Sequence, residues 1–253
     1  MYTDTHAHLY YDDLKDRLDS VMERARAASV ERIICVGTDL ASSRTSISIA
    51  ERFDGVFATA GVHPHDAKDA PEDYLSQVKE LLTHEKVVAV GEMGLDYFRN
   101  FSPPEQQREV FRSQLEMAAE LEMPTVIHNR DADDDLLKIV EEVSPSKAVL
   151  HCFSSDVPTA ERALNAGCLL SFTGNVTFGK NSTEAVLEMT PVERIMLETD
   201  CPFMTPVPNR GKVNEPSNIP YIGQRIAEIK AMKLMELARI TSATAQDFFG
   251  LPK

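Results

Sequence analysis

Six residues able to hold a metal ion stand at the ends of apolar segments spread along the chain. They are His6 and His8 in Thr5-His6-Ala7-His8, Glu92 after VVAVG, His128 after PTVI, His151 after AVL, and Asp200 at the end of IMLETD. Side chains two apart on a strand point the same way, so His6 and His8 can reach one ion. A carboxylate behind an apolar run such as VVAVG or IMLE is costly to bury unless a cation or hydrogen-bond donors meet it. Taken singly, each residue has a structural explanation in packing or surface placement; all six recurring at one kind of position point to a metal centre. Four histidines and two carboxylates exceed what one tetrahedral ion requires, so the pattern predicts two divalent ions sharing a carboxylate. Glu92, in the middle of the set, is the expected bridge, with His6, His8 and Asp200 on one ion and His128 and His151 on the other. Ions so held could lower the pKa of a bound water to roughly 7 and polarise a phosphoryl or carbonyl oxygen. Asp200 could then orient that water and take its proton.

Something must bring these ends together. Apolar runs rich in Val, Ile and Leu predict strands at Tyr2–His8, Arg32–Gly37, Val56–His63, Val87–Leu95, Thr125–His128, Ala148–Phe153, Cys168–Thr173 and Arg194–Asp200, as in parallel strands buried on both faces. Amphipathic stretches alternate with them at Tyr11–Ser29, Ala41–Phe53, Pro71–Thr83, Pro104–Leu121, Asp133–Val143, Pro158–Asn165 and Ser182–Glu188, and Ile219–Lys230 and Leu234–Phe249 follow the last strand after a loop. Pro104 and Pro158 suit helix starts and Gly167 a helix end. The alternation predicts an α/β fold of the (β/α)8 TIM-barrel type, one domain over residues 1–253, whose active site lies at the C-terminal rim of the strands. A doubly wound open sheet is the rival, but it would not ordinarily gather strand ends from positions 6 to 200 around one axis.

The rim supplies further candidates. His63 and His65 in GVHPH point alike and could donate to a phosphate oxygen or protonate a leaving group without binding metal. Arg130, two residues after His128, is a candidate phosphate contact, with a salt bridge to Asp131 or Asp133 as the alternative. Glu198, two before Asp200, could hold a ligand histidine or a metal-bound water. Asp96 and Tyr97 are candidate supporting residues, and Asn214 and Glu215 are the polar candidates of the loop Arg210–Pro216, which could close over the mouth. No GxGxxG, phosphate-loop lysine, GxSxG or solenoid repeat occurs. No basic helix or aromatic-rich stacking platform is visible and Trp is absent, so substrate contact is expected mainly from the metals and the rim loops.

The 253 residues, 43% of them hydrophobic, can bury a large core. The formal net charge of −14 disfavours a long duplex footprint more than a small phosphate ester or strand end, because bound divalent ions reverse the local sign. With no run of about 18 apolar residues and no signal-peptide pattern at the N-terminus, no membrane association and a cytoplasmic location are expected. Cys35, Cys152, Cys168 and Cys201 lie in or at the ends of apolar segments without a CxxC pair, and are expected to be reduced. Nothing resembles a coiled-coil seam, so a monomer is expected.

The segments DTHAHL (4–9), GVHPH (61–65), GEMGLDY (91–97), PTVIHNRDAD (124–133), HCFS (151–154), ETDCPF (198–203) and RGKVNEP (210–216) closely resemble, in order and spacing, the TatD family of metal-dependent deoxyribonucleases. The tail TSATAQDFFGL is similar to the family's last helix. The resemblance implies a TIM-barrel hydrolase of the amidohydrolase-like superfamily with the six ligands above. It also implies magnesium-dependent 3′-to-5′ exonuclease action on DNA, or, as in some members, removal of D-amino acids from tRNA. Tyr10 stands where the family usually has Asp or Asn, and HCFSS replaces the commoner HCFSG; neither touches a ligand. An imidazole-rich site suits zinc, manganese, iron or nickel better than magnesium on ligand softness, so magnesium, manganese and zinc all stay open. The leading expectation is hydrolysis of phosphodiester bonds at a nucleic-acid strand end by metal-activated water. The alternative is a carboxylic ester or amide, including D-aminoacyl-tRNA, cleaved by the same site. A third reading is a metal-binding scaffold without catalysis, whose mark would be a missing ligand, and none is missing.

Overall fold

The computed structural model describes residues 1–179 and 182–252. Eight strands form one parallel sheet in chain order: β1 Tyr2–Ala7, β2 Val30–Val36, β3 Val56–Ala60, β4 Val87–Asp96, β5 Thr125–Arg130, β6 Ala148–Leu150, β7 Leu169–Phe172 and β8 Ile195–Leu197. A parallel bridge between Ala7 and Cys201, with Asp200 N–H donating to His6 O at 2.9 Å and His8 N–H to Cys201 O at 2.8 Å, brings the last strand's extension against the first. The sheet is thus a nearly closed barrel. Helices α1 Asp12–Lys15, α2 Leu18–Ala27, α3 Leu40–Arg52, α4 Tyr74–Leu81, α5 Pro104–Glu120, α6 Asp133–Val143, α7 Val157–Asn165, α8 Ser182–Met189, α9 Ile219–Ile229 and α10 Leu234–Phe249 connect or follow the strands. Parallel neighbours need crossover connections, which these helices supply.

The elements follow the sequence expectation closely, with differences at the ends. The stretch 11–29 is broken at Asp16–Arg17 into α1 and α2. The ladders of β6 and β8 stop at Leu150 and Leu197, short of the expected Phe153 and Asp200. Beyond them Cys152 and Asp200 adopt left-handed backbone conformations, φ 47° and 53°, which regular strands do not contain.

Ile34 and Val36 of β2, Phe57 of β3, Ala89 of β4, Val126 of β5, Val149 of β6 and Met196 of β8 pack together with Phe248, Phe249 and Leu251 at the end of α10. Side chains from six strands can meet only inside the barrel, so these form its interior layer. The tail of α10 closes its N-terminal end, where Lys147 donates to Asp247 O and Phe248 O at 2.9 and 3.0 Å. Two residues beyond Val126 and Val149 stand His128 and His151, and two and four beyond Met196 stand Glu198 and Asp200. Strand alternation therefore stacks a polar layer on the apolar one.

Strand β4 departs from strict alternation. Val90 pairs with Thr125 but Met93 pairs with Ile127, so β4 carries one extra residue over that interval. Counting by twos from Ala89 would turn Gly91 and Met93 inward; the extra residue turns Glu92 in instead. Gly94, at φ +143°, passes so close to β5 that an added Cβ would lie 1.9 Å from His128 O. Gly94→Ala is expected to destabilise the fold by about 2 kcal/mol or more, through backbone strain and displacement of β5. Thermal or urea unfolding of the variant measures this.

Candidate metal centre

Glu92 is 3% exposed and sits at the centre of the polar layer. Its Oε1 lies 2.8 Å from His151 Nε2, 3.1 Å from His128 Nδ1 and 3.4 Å from His63 Nε2. Its Oε2 lies 3.4 Å from His6 Nε2 and 3.7 Å from His8 Nε2. Asp200 Oδ1 joins the second group, 3.4 Å from His8 Nε2 and 3.8 Å from His6 Nε2. The two carboxylate oxygens of Glu92 thus face two sets of donors, along the division the sequence suggests. Among the described residues, three groups of donor atoms could each hold an ion: His6, His8 and Glu92; His63, Glu92 and His128; and His6, His151 and Asp200. The last crosses the division, and the second adds His63.

Whether these donors suit a metal is decided by what holds the other nitrogen of each ring. His8 Nδ1 lies 3.0 Å from Val36 O, a pure acceptor; the proton therefore sits on Nδ1 and the Nε2 lone pair faces Glu92 and Asp200. His128 Nε2 lies 3.2 Å from Asp96 Oδ2, which leaves Nδ1 facing Glu92. His151 Nδ1 lies 3.5 Å from Glu198 Oε1, which leaves Nε2 facing Glu92. Backing acceptors of this kind orient metal-binding imidazoles and raise their basicity. His63 is arranged the other way. Its Nδ1 accepts the His65 backbone N–H at 3.1 Å, so the neutral ring carries its proton on Nε2 and presents a donor on the side of Glu92 Oε1. Hydrogen bonding thus favours His63 as a donor over a ligand, although it lies within reach of both roles.

The charge balance agrees. Burial would raise the Glu92 pKa, but His151, His63 and His6 outweigh it and hold the carboxyl well below its ordinary range. Burial likewise opposes ionisation of Asp200, and the His8 contact overrides it downward. His151 is pushed well above its usual value: burial acts downward, but Glu92 and Glu198 win. For His63 burial dominates and brings the pKa down to about 4, so it is neutral at neutral pH. The buried Glu92 and the partly exposed Asp200 among imidazoles form a donor set that takes up cations, protons in their absence.

Supporting residues complete the layer. Glu198, 1% exposed, accepts from Ser171 Oγ and from Cys152 N–H at 2.5 Å, which fixes it behind His151. Asp96 accepts from His65 Nε2 at 2.8 Å and Arg99 N–H at 2.7 Å as well as facing His128. Tyr10, the departure in the first motif expected not to touch a ligand, does touch one: its hydroxyl lies 3.3 Å from His8 Nδ1. Ser155, the departure in HCFSS, donates to Asp133 at 2.7 Å.

Other expectations are corrected. Asn214 is fully buried: its amide donates to Thr199 O and Phe203 O, and its oxygen accepts from Glu215 N–H and Asn218. It fastens the loop after β8 and has no atom left for substrate. Glu215 is tied to Arg24 at 2.8 Å. The Tyr97 hydroxyl donates to Asp135 at 2.7 Å and takes a bond from Arg108 on the outer side. Arg130 is exposed at the rim, makes no ion pair with Asp131 or Asp133, and lays its guanidinium 3.9 Å from the ring centroid of Phe98.

Two sets of residues escape the sequence reading. One is Asp4, whose carboxylate accepts from Thr199 N–H at 2.9 Å and faces Thr199 Oγ1 at 2.6 Å, sewing β1 to the extension of β8; its position in DTHAHL is the only signal. The other is a set of exposed rim aromatics, Tyr11, Phe98, Phe101 and Phe203, where the sequence shows no aromatic-rich stretch. They are scattered in sequence, each in a loop leaving a strand's C-terminal end.

A family model described as TatD-related DNase matches residues 3–250. The chain belongs to this family. It is 44% identical, over 99% of this chain and 100% of the relative, to the uncharacterized metal-dependent hydrolase YabD of Bacillus subtilis. It is 36% identical to the 3'-5' ssDNA/RNA exonuclease TatD of Erwinia tasmaniensis, with 94% of this chain and 95% of the relative covered. Among solved structures, the TatD homolog YjjV of Escherichia coli superposes with a TM-score of 0.94 at 26% identity, covering 99% of this chain and 98% of that one. As a TatD-family protein the chain is a metal-dependent hydrolase.

Burial pushes the Asp4 carboxyl up to about 8, against the Thr199 hydrogen bonds. In the unfolded chain an Asp ionises near 3.9, so the folded state holds an extra proton between about pH 4 and pH 8. Stability is therefore lost as pH rises through that window and levels off above it. Asp4→Asn mimics the protonated acid, and the metal-free variant should lack this slope. Thermal midpoints of both proteins across pH 4 to 9 measure it; parallel curves would contradict the assignment.

Proposed function

We propose that this TatD-family hydrolase removes nucleotides from the 3′ end of single-stranded nucleic acid, using two divalent ions that His6, His8, His128, His151 and Asp200 would hold together with a shared Glu92. The observation that carries the reading is the two-sided environment of Glu92, with a neutral His63 Nε2–H beside it and an Arg130 free of carboxylate partners at the rim. Together they supply anion binding at two distances from one buried carboxylate. The relatives named as 3'-5' ssDNA/RNA exonucleases support the substrate class. When bound, the ions would acidify a water and polarise a phosphoryl oxygen.

The residues divide the remaining work. Asp200, 14% exposed and facing His8 and His6, is the carboxylate placed to accept the water's proton. His63 donates from Nε2 to a phosphate oxygen, and burial keeps it neutral so that it does so without adding charge. His65, fixed by Asp96, lines the same side, and Glu198 acts through His151. Arg130 holds a phosphate further from the reacting bond, where a planar guanidinium can pair two oxygens. The nitrogen-rich donor set favours zinc or manganese over magnesium. Among the described residues no helix is long and apolar enough to cross a membrane; a monomeric, cytoplasmic enzyme belongs to the same proposal.

The test is turnover by chelator-stripped protein resupplied separately with magnesium, manganese and zinc, on 5′-labelled single-stranded DNA and on D-aminoacyl-tRNA. Stepwise shortening restored by one of the ions is expected, with Glu92→Ala about a thousandfold or more slower, the several kcal/mol that metal-held charge contributes. Release of the amino acid without strand shortening would move the function to ester hydrolysis. Arg130→Ala is expected to raise KM on DNA about tenfold, or about 1.4 kcal/mol, with kcat unchanged. An unaltered KM removes it as a phosphate contact.

A further inference from the structure

Of the five exposed aromatic residues among those described, Tyr11, Phe98, Phe101 and Phe203 lie at the rim, and only Tyr221 sits elsewhere. They form two stations. Tyr11, in the loop after β1, lies 5.5 Å from the His8 ring and 5.4 Å from Phe203, which follows Asp200 by three residues. Phe98, in the loop after β4, is 56% exposed and carries the Arg130 guanidinium; Phe101, 55% exposed, lies 4.8 Å from His65 in the same loop. Strands β8 and β1 meet at the seam, and β4 and β5 lie four places round the barrel from it. The stations therefore face each other across the mouth with Glu92 between them. Leaving large aromatic surface in water is unfavourable, and Phe98, Phe101 and Phe203 stay about half exposed even with Arg130 against one of them.

We propose that these stations stack unpaired nucleobases on either side of the scissile phosphate: one base against Tyr11 and Phe203, the other against Phe98 with Arg130 beside it on a phosphate. This rests on the phosphodiesterase reading above and adds to it a reason for single-strand selectivity. Bases held at opposite sides of the mouth are splayed apart, a geometry open to a flexible strand end and closed to a paired duplex. Stacking is indifferent to base identity, because every base has a π-face. It also offsets the chain's charge of −14, which weakens attraction to any polyanion.

The experiment is fluorescence-anisotropy binding of a 5′-labelled single-stranded oligonucleotide, its 3′-terminal linkages made cleavage-resistant methylphosphonates, to manganese-loaded protein, comparing wild type, Tyr11→Ala and Phe98→Ala, with shortening of the unmodified strand followed in parallel. Each oligonucleotide is used intact and with a tetrahydrofuran abasic residue at the 3′-terminal or the penultimate position. Each substitution should weaken binding of the intact strand roughly tenfold. One abasic position should abolish the effect of Tyr11→Ala and the other that of Phe98→Ala, a pairing that general loosening of a loop would not produce. Because the readout is binding, aromatic-dependent binding without strand shortening overturns the exonuclease reading and leaves the stations in place. Equal affinities of all three proteins for intact and abasic strands would overturn the proposal. So would a wild-type dimer that the same substitutions convert to monomer, since the patches would then pair two copies of the chain.

Discussion

The structure depends on the burial of Glu92. A carboxylate almost out of water loses several kcal/mol of solvation, while one positive charge at 4 Å returns about 4 kcal/mol at an effective dielectric near 20. A single partner therefore leaves Glu92 close to balance, and its stability as an anion rests on several. Five imidazoles lie within 4 Å of it, from His6, His8, His63, His128 and His151. As neutral rings they can offer it hydrogen bonds, as His63 Nε2–H does, but no charge. Only protons or metal ions among them supply the charge that Glu92 requires, so the electrostatic demand of one side chain and the chemistry of the site are the same fact.

The barrel meets that demand by layering. Apolar side chains from six strands, plugged from below by Phe248 and Phe249, make a floor that excludes water. Strand alternation then raises His128 and His151 directly above Val126 and Val149. Val36 O and Asp96 fix the far nitrogens of His8 and His128, and Glu198 stands 3.5 Å behind that of His151, so that the near nitrogens converge. The loops above these residues hold Arg130 and the exposed aromatics Tyr11, Phe98, Phe101 and Phe203 at the mouth of the barrel. Tight backbone contact among β4 and β5, where Gly94 admits no side chain, keeps Glu92 and His128 in register.

Much of this is legible in the sequence because strand ends and metal ligands obey short-range rules. Alternation and apolar runs locate the strands, and residue type singles out six candidate ligands whose side chains the fold brings together. What escapes is long-range or irregular. The extra residue that turns Glu92 inward depends on how β4 pairs with β5, and no periodicity in VVAVGEMGLD announces it. Asn214 is polar and sits in a loop, which suggests substrate contact, yet its partners Thr199, Phe203 and Asn218 bury it. The clustering of Tyr11 with Phe203, nearly the whole chain apart, follows only from closure of β8 against β1. The tautomer of His63 rests on a backbone N–H two residues away.

The central claim is that Glu92 joins two ion sites into one. Its most direct measurement is the number of manganese ions bound per chain by wild type and by Glu92→Gln, counted by titration with paramagnetic detection of free ion. The account predicts two ions for wild type and loss of affinity for both in the variant. Retention of either ion at wild-type affinity would contradict it, because that site would then owe nothing to the shared carboxylate.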